Sequence, residues 1–210
     1  MNLGLSVLLV DDHLVVRKGV ELVLLGSFPK AHVYSAENYE DAIDIVKTIK
    51  LDLIILDINI NGVENIKIMK SIKEIQSKVK ILIFSSHEEK NYGVRYISNG
   101  ADGFLNKFCT EDKIVKAVNQ ILKDGYFYSE SVREKIEQKS NKKAKNNSIE
   151  SLSNREFEIA KLLISGDGNL EISNKLNIQM STVSTYKNRI FEKLNINNVV
   201  SLSEFFKENE

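Results

Sequence analysis

Three runs in this sequence, VLLV at 7–10, LIIL at 53–56 and ILIF at 81–84, are wholly apolar, with no polar residue at alternate positions. A strand with one wet face alternates. A strand that does not is covered on both faces, as in a parallel sheet between two layers of helices. With two further β-like runs, the predicted strands are Ser6–Val10, His32–Ala36, Leu53–Leu56, Lys80–Phe84 and Gly103–Leu105. Helical patterns lie between them, at 14–25, 39–49, 65–76, 89–98 and 111–123. In the last, Ile114, Val115, Val118, Ile121 and Leu122 recur at helical spacing before Gly125 stops the pattern. Five strand–helix units predict an α/β domain over residues 1–126, a doubly wound parallel sheet with helices on both faces.

Residues 127–149 break this rhythm. Their first part can prolong a helix, but SNKKAKNNS at 140–148 has too little apolar surface to fold alone and reads as a linker. Residues 133–145 hold six Lys/Arg against two Glu, although the whole chain balances 29 basic against 29 acidic residues. Residues 150–210 show only helical periodicity, which predicts a small all-α second domain. One cysteine, Cys109, excludes an intrachain disulfide and points to a reducing compartment. No Cys/His spacing resembles a zinc site, and His13, His32 and His87 are not read as metal ligands. The N-terminus has no basic region before an apolar core, and no apolar stretch approaches the roughly 20 residues of a membrane helix. A cytoplasmic protein without a membrane partner is expected.

In an open α/β sheet, ligands gather beyond the carboxyl ends of the strands. The first strand ends in Asp11 and Asp12, the third in Asp57, the fourth in Ser85 and Ser86, and the fifth in Lys107. With strand order 2-1-3-4-5, these ends are neighbours. Three carboxylates in a partly buried site repel and need cations to offset them. Lys107 is one, and a hard dication in an open, watery site is the other, which favours Mg2+ over calcium. A carboxylate beside magnesium, faced by a hydroxyl and an ammonium, can attack phosphorus. Asp57 is the nucleophile in that reading, with Ser85 and Lys107 facing the phosphoryl oxygens.

On these residues, in this order, residues 4–124 resemble the receiver domain of a two-component response regulator, a flavodoxin-like fold. The resemblance implies Asp57 as phosphoacceptor, with Asp12 and the backbone carbonyl of Asn59 on magnesium and Asp11 acting mainly through water. It implies that Ser85 meets the phosphoryl group, that Lys107 pairs with it, and that Phe104, three residues before that lysine, is the aromatic switch. Two family features are missing: Asn61 stands where proline often follows the phosphoacceptor, and Phe108 where a proline with a cis bond often follows the lysine.

The second domain carries its own pattern. Ser153 with Glu156 forms a capping box before an apolar helix that ends at Gly166 and Gly168. A short helix, 169–176, and a turn at Asn177 lead to Ser181, the expected N-cap of a third helix running through Leu194. On a helical wheel Val183, Tyr186, Ile190 and Leu194 face the core, while Thr185, Asn188, Arg189 and Glu192 face outward with Ser184 on the flank. Lys187 and Lys193 lie near the core edge, where their stems can pack and their ammonium groups reach phosphates. Two helices joined by a tight turn, the second polar and basic, suggest DNA binding in the major groove. This stretch resembles the LuxR-type helix-turn-helix of NarL/FixJ-group regulators through residues including Leu152, Arg155, Glu156, Gly166, Asn169, Glu171, Ile172, Thr182, Val183, Lys193 and Leu194. By that resemblance Ser184, Thr185 and Asn188 fall where the family contacts bases, and Thr182, Lys187, Arg189 and Lys193 complete the expected DNA-contacting set. Tyr186 replaces the usual His, and an Arg near Asn198 is missing.

The expected function is a DNA-binding transcriptional response regulator switched by phosphorylation of Asp57. The resemblance implies a sensor histidine kinase as donor, double-stranded DNA as target and a homodimer on DNA when phosphorylated. It is not an enzyme beyond its own phosphoryl transfer to Asp57 and its loss. One rival is a phosphorylation-independent DNA-binding regulator on a receiver scaffold. A phosphatase with an aspartyl-phosphate intermediate is another, and Asn59, standing where such sites place a second aspartate, argues against it.

Overall fold

The computed structural model describes residues 4–58, 65–140 and 149–209. The chain divides into two compact units, Met1–Lys139 and Ser140–Glu210. In the first, five parallel strands, β1 (Ser6–Val10), β2 (His32–Ala36), β3 (Leu53–Leu56), β4 (Lys80–Ser85) and β5 (Gly103–Asn106), lie in the order β2-β1-β3-β4-β5. Five helices alternate with them: α1 (Leu14–Ser27), α2 (Tyr39–Thr48), α3 (Asn65–Ile75), α4 (Glu89–Ser98) and α5 (Glu111–Asp124). The predicted sheet, its order and all four helical crossovers are present, with α5 following the last strand.

The apolar runs explain the layering. Val7, Leu9, Leu53, Ile55, Leu82, Phe84 and Leu105 pack on one face against Val20 and Leu24 of α1 and Ile114, Ala117, Val118 and Ile121 of α5. Their alternates, Leu8, Val10, Ile54, Leu56, Ile81 and Ile83, point the other way and are equally buried. Local chemistry sets the helix ends. Asn38 accepts from the Asp41 N–H at 2.9 Å to start α2, and Gly125, at φ 89°, ends α5 in the left-handed region that favours glycine.

The segment expected as linker, 127–149, is not uniform. The Phe127 carbonyl accepts from the Phe104 N–H at 2.9 Å, and its N–H donates to Asp102, so the chain caps the outer edge of β5. Helix α6 (Glu130–Ser140) follows, with Val132 1% exposed. The boundary between the units falls inside this segment, after α6 begins.

The second unit holds a short 3₁₀ turn (Ile149–Ser151) and helices α7 (Asn154–Ile164), α8 (Asn169–Leu176), α9 (Met180–Leu194) and α10 (Val199–Asn209). The Ser153–Glu156 capping box is formed. Phe157, Ile159, Ala160, Leu163, Ile172, Val183, Ile190, Leu194, Leu202 and Phe206 make the core. Two expectations are corrected here. Gln179, not Ser181, occupies the N-cap of α9, because its carbonyl already accepts from Thr182 and Val183 at 2.9 and 3.2 Å. Tyr186, expected in the core, is only half-buried. No helix among the described residues is long and apolar enough to cross a membrane.

Candidate functional site

Register brings the strand ends together. Val10 pairs with Leu56, so the residues that follow, Asp11 and Asp57, stand side by side, with the Asp57 N–H donating to Val10 at 2.8 Å. Ser85 pairs with Asn106, and the Lys107 N–H donates to the Ser85 carbonyl at 2.7 Å, which places the lysine above the same edge. Its ammonium lies 2.6 Å from Asp11 Oδ2 and 3.0 Å from Asp57 Oδ2. Asp11, Asp57 and Ser85 are almost wholly buried.

Asp12 completes the cluster. Asp11, Asp12, His13 and Asp57 each offer one ligand-capable atom, and these atoms lie within 4.8 Å of one another. Burial alone would lower the pKa of Lys107, but its hydrogen bond to Asp11 and the charge of Asp57 outweigh that and hold it above its ordinary value. The lysine is therefore a permanent cation. Three carboxylates against one ammonium still leave an acidic pocket of hard oxygen donors, a set that suits a small divalent cation.

Phe104 is buried on β5, its ring centroid 6.5 Å from that of Tyr96. Ser85 Oγ accepts from the His87 N–H at 3.1 Å. His87 is half-buried and stacks on Tyr92 with centroids 4.4 Å apart. The Lys107–Phe108 peptide is trans. Asn59, expected to offer a backbone carbonyl, and Asn61 fall outside the described residues.

Sequence reading missed two neighbours. His13 Nδ1 lies 2.6 Å from Asp12 Oδ1 and 3.2 Å from Asp11 Oδ1. Arg17 is buried one turn into α1 and donates to the Asp11 backbone carbonyl. Each lies within a few residues of the aspartate pair, which was the signal available. A buried arginine is an uncommon expectation for an amphipathic helix.

In the second unit α9 presents the residues named for DNA. Thr185, Asn188 and Arg189 are exposed, and Thr182 is half-buried. The Thr185 hydroxyl donates to the Ser181 carbonyl at 3.0 Å, and the Arg189 guanidinium lies 5.9 Å from the Tyr186 ring. Lys187 lies 5.7 Å over the Phe191 ring. Two residues are otherwise engaged. Ser184 accepts from Asn169 Nδ2 at 3.1 Å and donates to the Met180 carbonyl at 3.2 Å, bracing α8 against α9. The Lys193 ammonium pairs with buried Glu156 at 2.6 Å instead of reaching outward. Burial would raise the Glu156 carboxyl, but Lys193 and the Ser153 backbone and hydroxyl outweigh it and hold its pKa below the ordinary value.

Comparison with known proteins agrees with both halves. The model of the response regulator receiver domain matches residues 7–119, and that of bacterial regulatory proteins of the luxR family matches residues 150–206. The fimbriae Z protein of Escherichia coli is 37% identical over 96% of each chain. The response regulator GacA of Pseudomonas aeruginosa is 29% identical over 95% of this chain and 94% of its own. The fold is that of RcsB from Salmonella enterica serovar Typhimurium, solved bound to a promoter with the phosphomimetic BeF3-. The likeness covers 97% of this chain and 98% of that one, with a TM-score of 0.57 at 23% identity. The chain therefore belongs to the two-component response regulators, as a DNA-binding regulator of transcription of the NarL/FixJ group, a receiver domain joined to a LuxR-type helix-turn-helix.

Proposed function

We propose that this regulator is switched by magnesium-dependent phosphorylation of Asp57, with a sensor histidine kinase as donor. The observation that carries the reading is the Lys107 ammonium, 2.6 Å from Asp11 and 3.0 Å from Asp57, within a cluster of three carboxylates. Asp11, Asp12 and Asp57, with the Asn59 carbonyl, would hold Mg2+. When bound, the ion supplies positive charge to the acidic pocket and to phosphoryl oxygens. A carboxylate oxygen of Asp57 forms the new bond to phosphorus. The bond from phosphorus to the phosphohistidine nitrogen breaks, and its electron pair stays on the imidazole. Lys107 offsets charge on the transferred group, and Ser85 Oγ turns to it after leaving the His87 N–H. Phe104 then moves into the space Ser85 vacates.

Output is a population shift, effective only insofar as the phosphoryl group favours one receiver state over the other. The outward face of α9 enters the major groove, with Thr185 and Asn188 at base edges and Lys187 and Arg189 at phosphates. Dimers on paired half-sites, in the cytoplasm, would offset a recognition helix with few basic residues. Units 1–126 and 150–210, with 127–149 joining them, are the working domains in this reading. Incubation with acetyl phosphate and magnesium is expected to add one phosphoryl mass to the wild type and none to Asp57→Asn. Addition to the variant at another residue would displace Asp57 from its role.

A further inference from the structure

We propose that Arg17 is a positioning residue for the metal site, holding the loop that carries Asp11 and Asp12. This inference rests on the magnesium reading above. Arg17 is 8% exposed, an expensive place for a guanidinium unless its donors are used. One Nη donates to the Asp11 backbone carbonyl, and the other lies 3.6 Å from Glu37, at the end of β2. The guanidinium thus holds the β1–α1 loop by a hydrogen bond and reaches the exposed Glu37 as an ion pair, while its Nε has no hydrogen-bond partner among the described residues; lysine, a point charge on a flexible stem, does not reproduce this spread of donors.

The consequence for the carboxylates follows from the loop. Asp11 continues the ladder through its N–H to the Ala36 carbonyl at 3.2 Å, and its Oδ1 accepts from the His13 N–H at 2.9 Å. With its carbonyl held by Arg17, Asp11 is held at its N–H, its side chain and its carbonyl. Arg17 also lines a small, largely aliphatic cleft that Asp11 and Asp57 border. Its guanidinium therefore meets the site through the Asp11 backbone, one residue before Asp12. Groups that orient ligands in this way change metal affinity by about 10–100-fold when removed.

The test is magnesium binding by calorimetry to the full chain and to its Arg17→Gln and Arg17→Lys variants, with urea unfolding of each alongside. The expected result is at least about tenfold weaker binding by Arg17→Gln, with Arg17→Lys between it and the wild type. A purely structural role would lower the urea midpoint and leave the dissociation constant of the folded protein unchanged. Where Arg17→Gln does not fold, Arg17→Lys alone decides. Folded variants that bind within about twofold of the wild type would overturn the role of Arg17 and leave the magnesium reading standing. No uptake by the wild type would remove both.

Discussion

Two lysines show how residue identity underdetermines role. Lys107 and Lys193 each lie at the end of an element, and each meets a buried carboxylate at 2.6 Å. The first faces a pocket with surplus negative charge and stays available to a ligand. The second meets Glu156, 3% exposed and also held by the Ser153 N–H at 2.7 Å, and donates to the Ser151 carbonyl at 3.3 Å, so its charge serves the fold. Because the Glu156 pKa is depressed on folding, the pair stabilises the native state above the unfolded carboxyl value and loses that contribution as pH falls through the folded one. Glu156→Gln should cost about 1–2 kcal/mol at neutral pH, discounted for the half-exposed lysine. It should also flatten the acid limb of unfolding of the C-terminal unit below roughly pH 4.5. Urea titrations of both proteins at pH 7 and at acid pH measure the two effects. An unchanged acid limb would show that the ion pair is not linked to folding.

At the scale of elements, β5 meets β4, α5 and the Phe127 bridge in close approach at Gly103. A Cβ there would lie 2.7 Å from Ile121 Cδ1 and 3.0 Å from both Leu82 Cδ1 and the Phe127 carbonyl. The last contact is backbone, fixed by the hydrogen bond from Phe104, so the neighbour has little room to yield. Gly103→Ala is expected to lower receiver stability by about 1–3 kcal/mol and to loosen α5 and the Phe127 bridge together. Urea unfolding gives the first, and amide exchange at Phe104 and Phe127 the second. The same contrast between local and distant causes decides what was legible in the sequence. Strands buried on both faces show themselves as unbroken apolar runs, and each predicted strand was placed to within a residue. The acidic cluster was legible because strand ends in a parallel sheet converge by topology. Ser181 failed as a cap because the turn after Asn177, at φ 49°, starts the helix two residues earlier than the better side-chain acceptor suggests. The pairings of Ser184 with Asn169 and Lys193 with Glu156 span 15 and 37 residues, and nothing in local periodicity marks them.

For the whole molecule, net charge gives no drive toward DNA, since 29 basic residues balance 29 acidic ones. In the proposed reading the cations that α9 offers to phosphates are Lys187 and Arg189, since Lys193 is paired to Glu156. Each phosphate contact contributes about 0.9 to the slope of log affinity against log salt, so a monomer should show a shallow salt dependence. Arg189→Gln should reduce that slope by about 1 if the guanidinium leaves Tyr186 for a phosphate. A recognition helix so sparsely charged makes regulation through association effective, since pairing two weak half-sites changes occupancy more than strengthening either. Beryllofluoride with magnesium should therefore tighten binding of the wild type to DNA with paired half-sites by tenfold or more, equivalent to about 1.4 kcal/mol or more. It should leave Asp57→Asn unchanged and have a smaller effect on a single half-site. Fluorescence anisotropy with both DNAs separates these outcomes. Equal affinity of the wild type in both states would instead make the chain a phosphorylation-independent regulator that keeps its receiver as a scaffold.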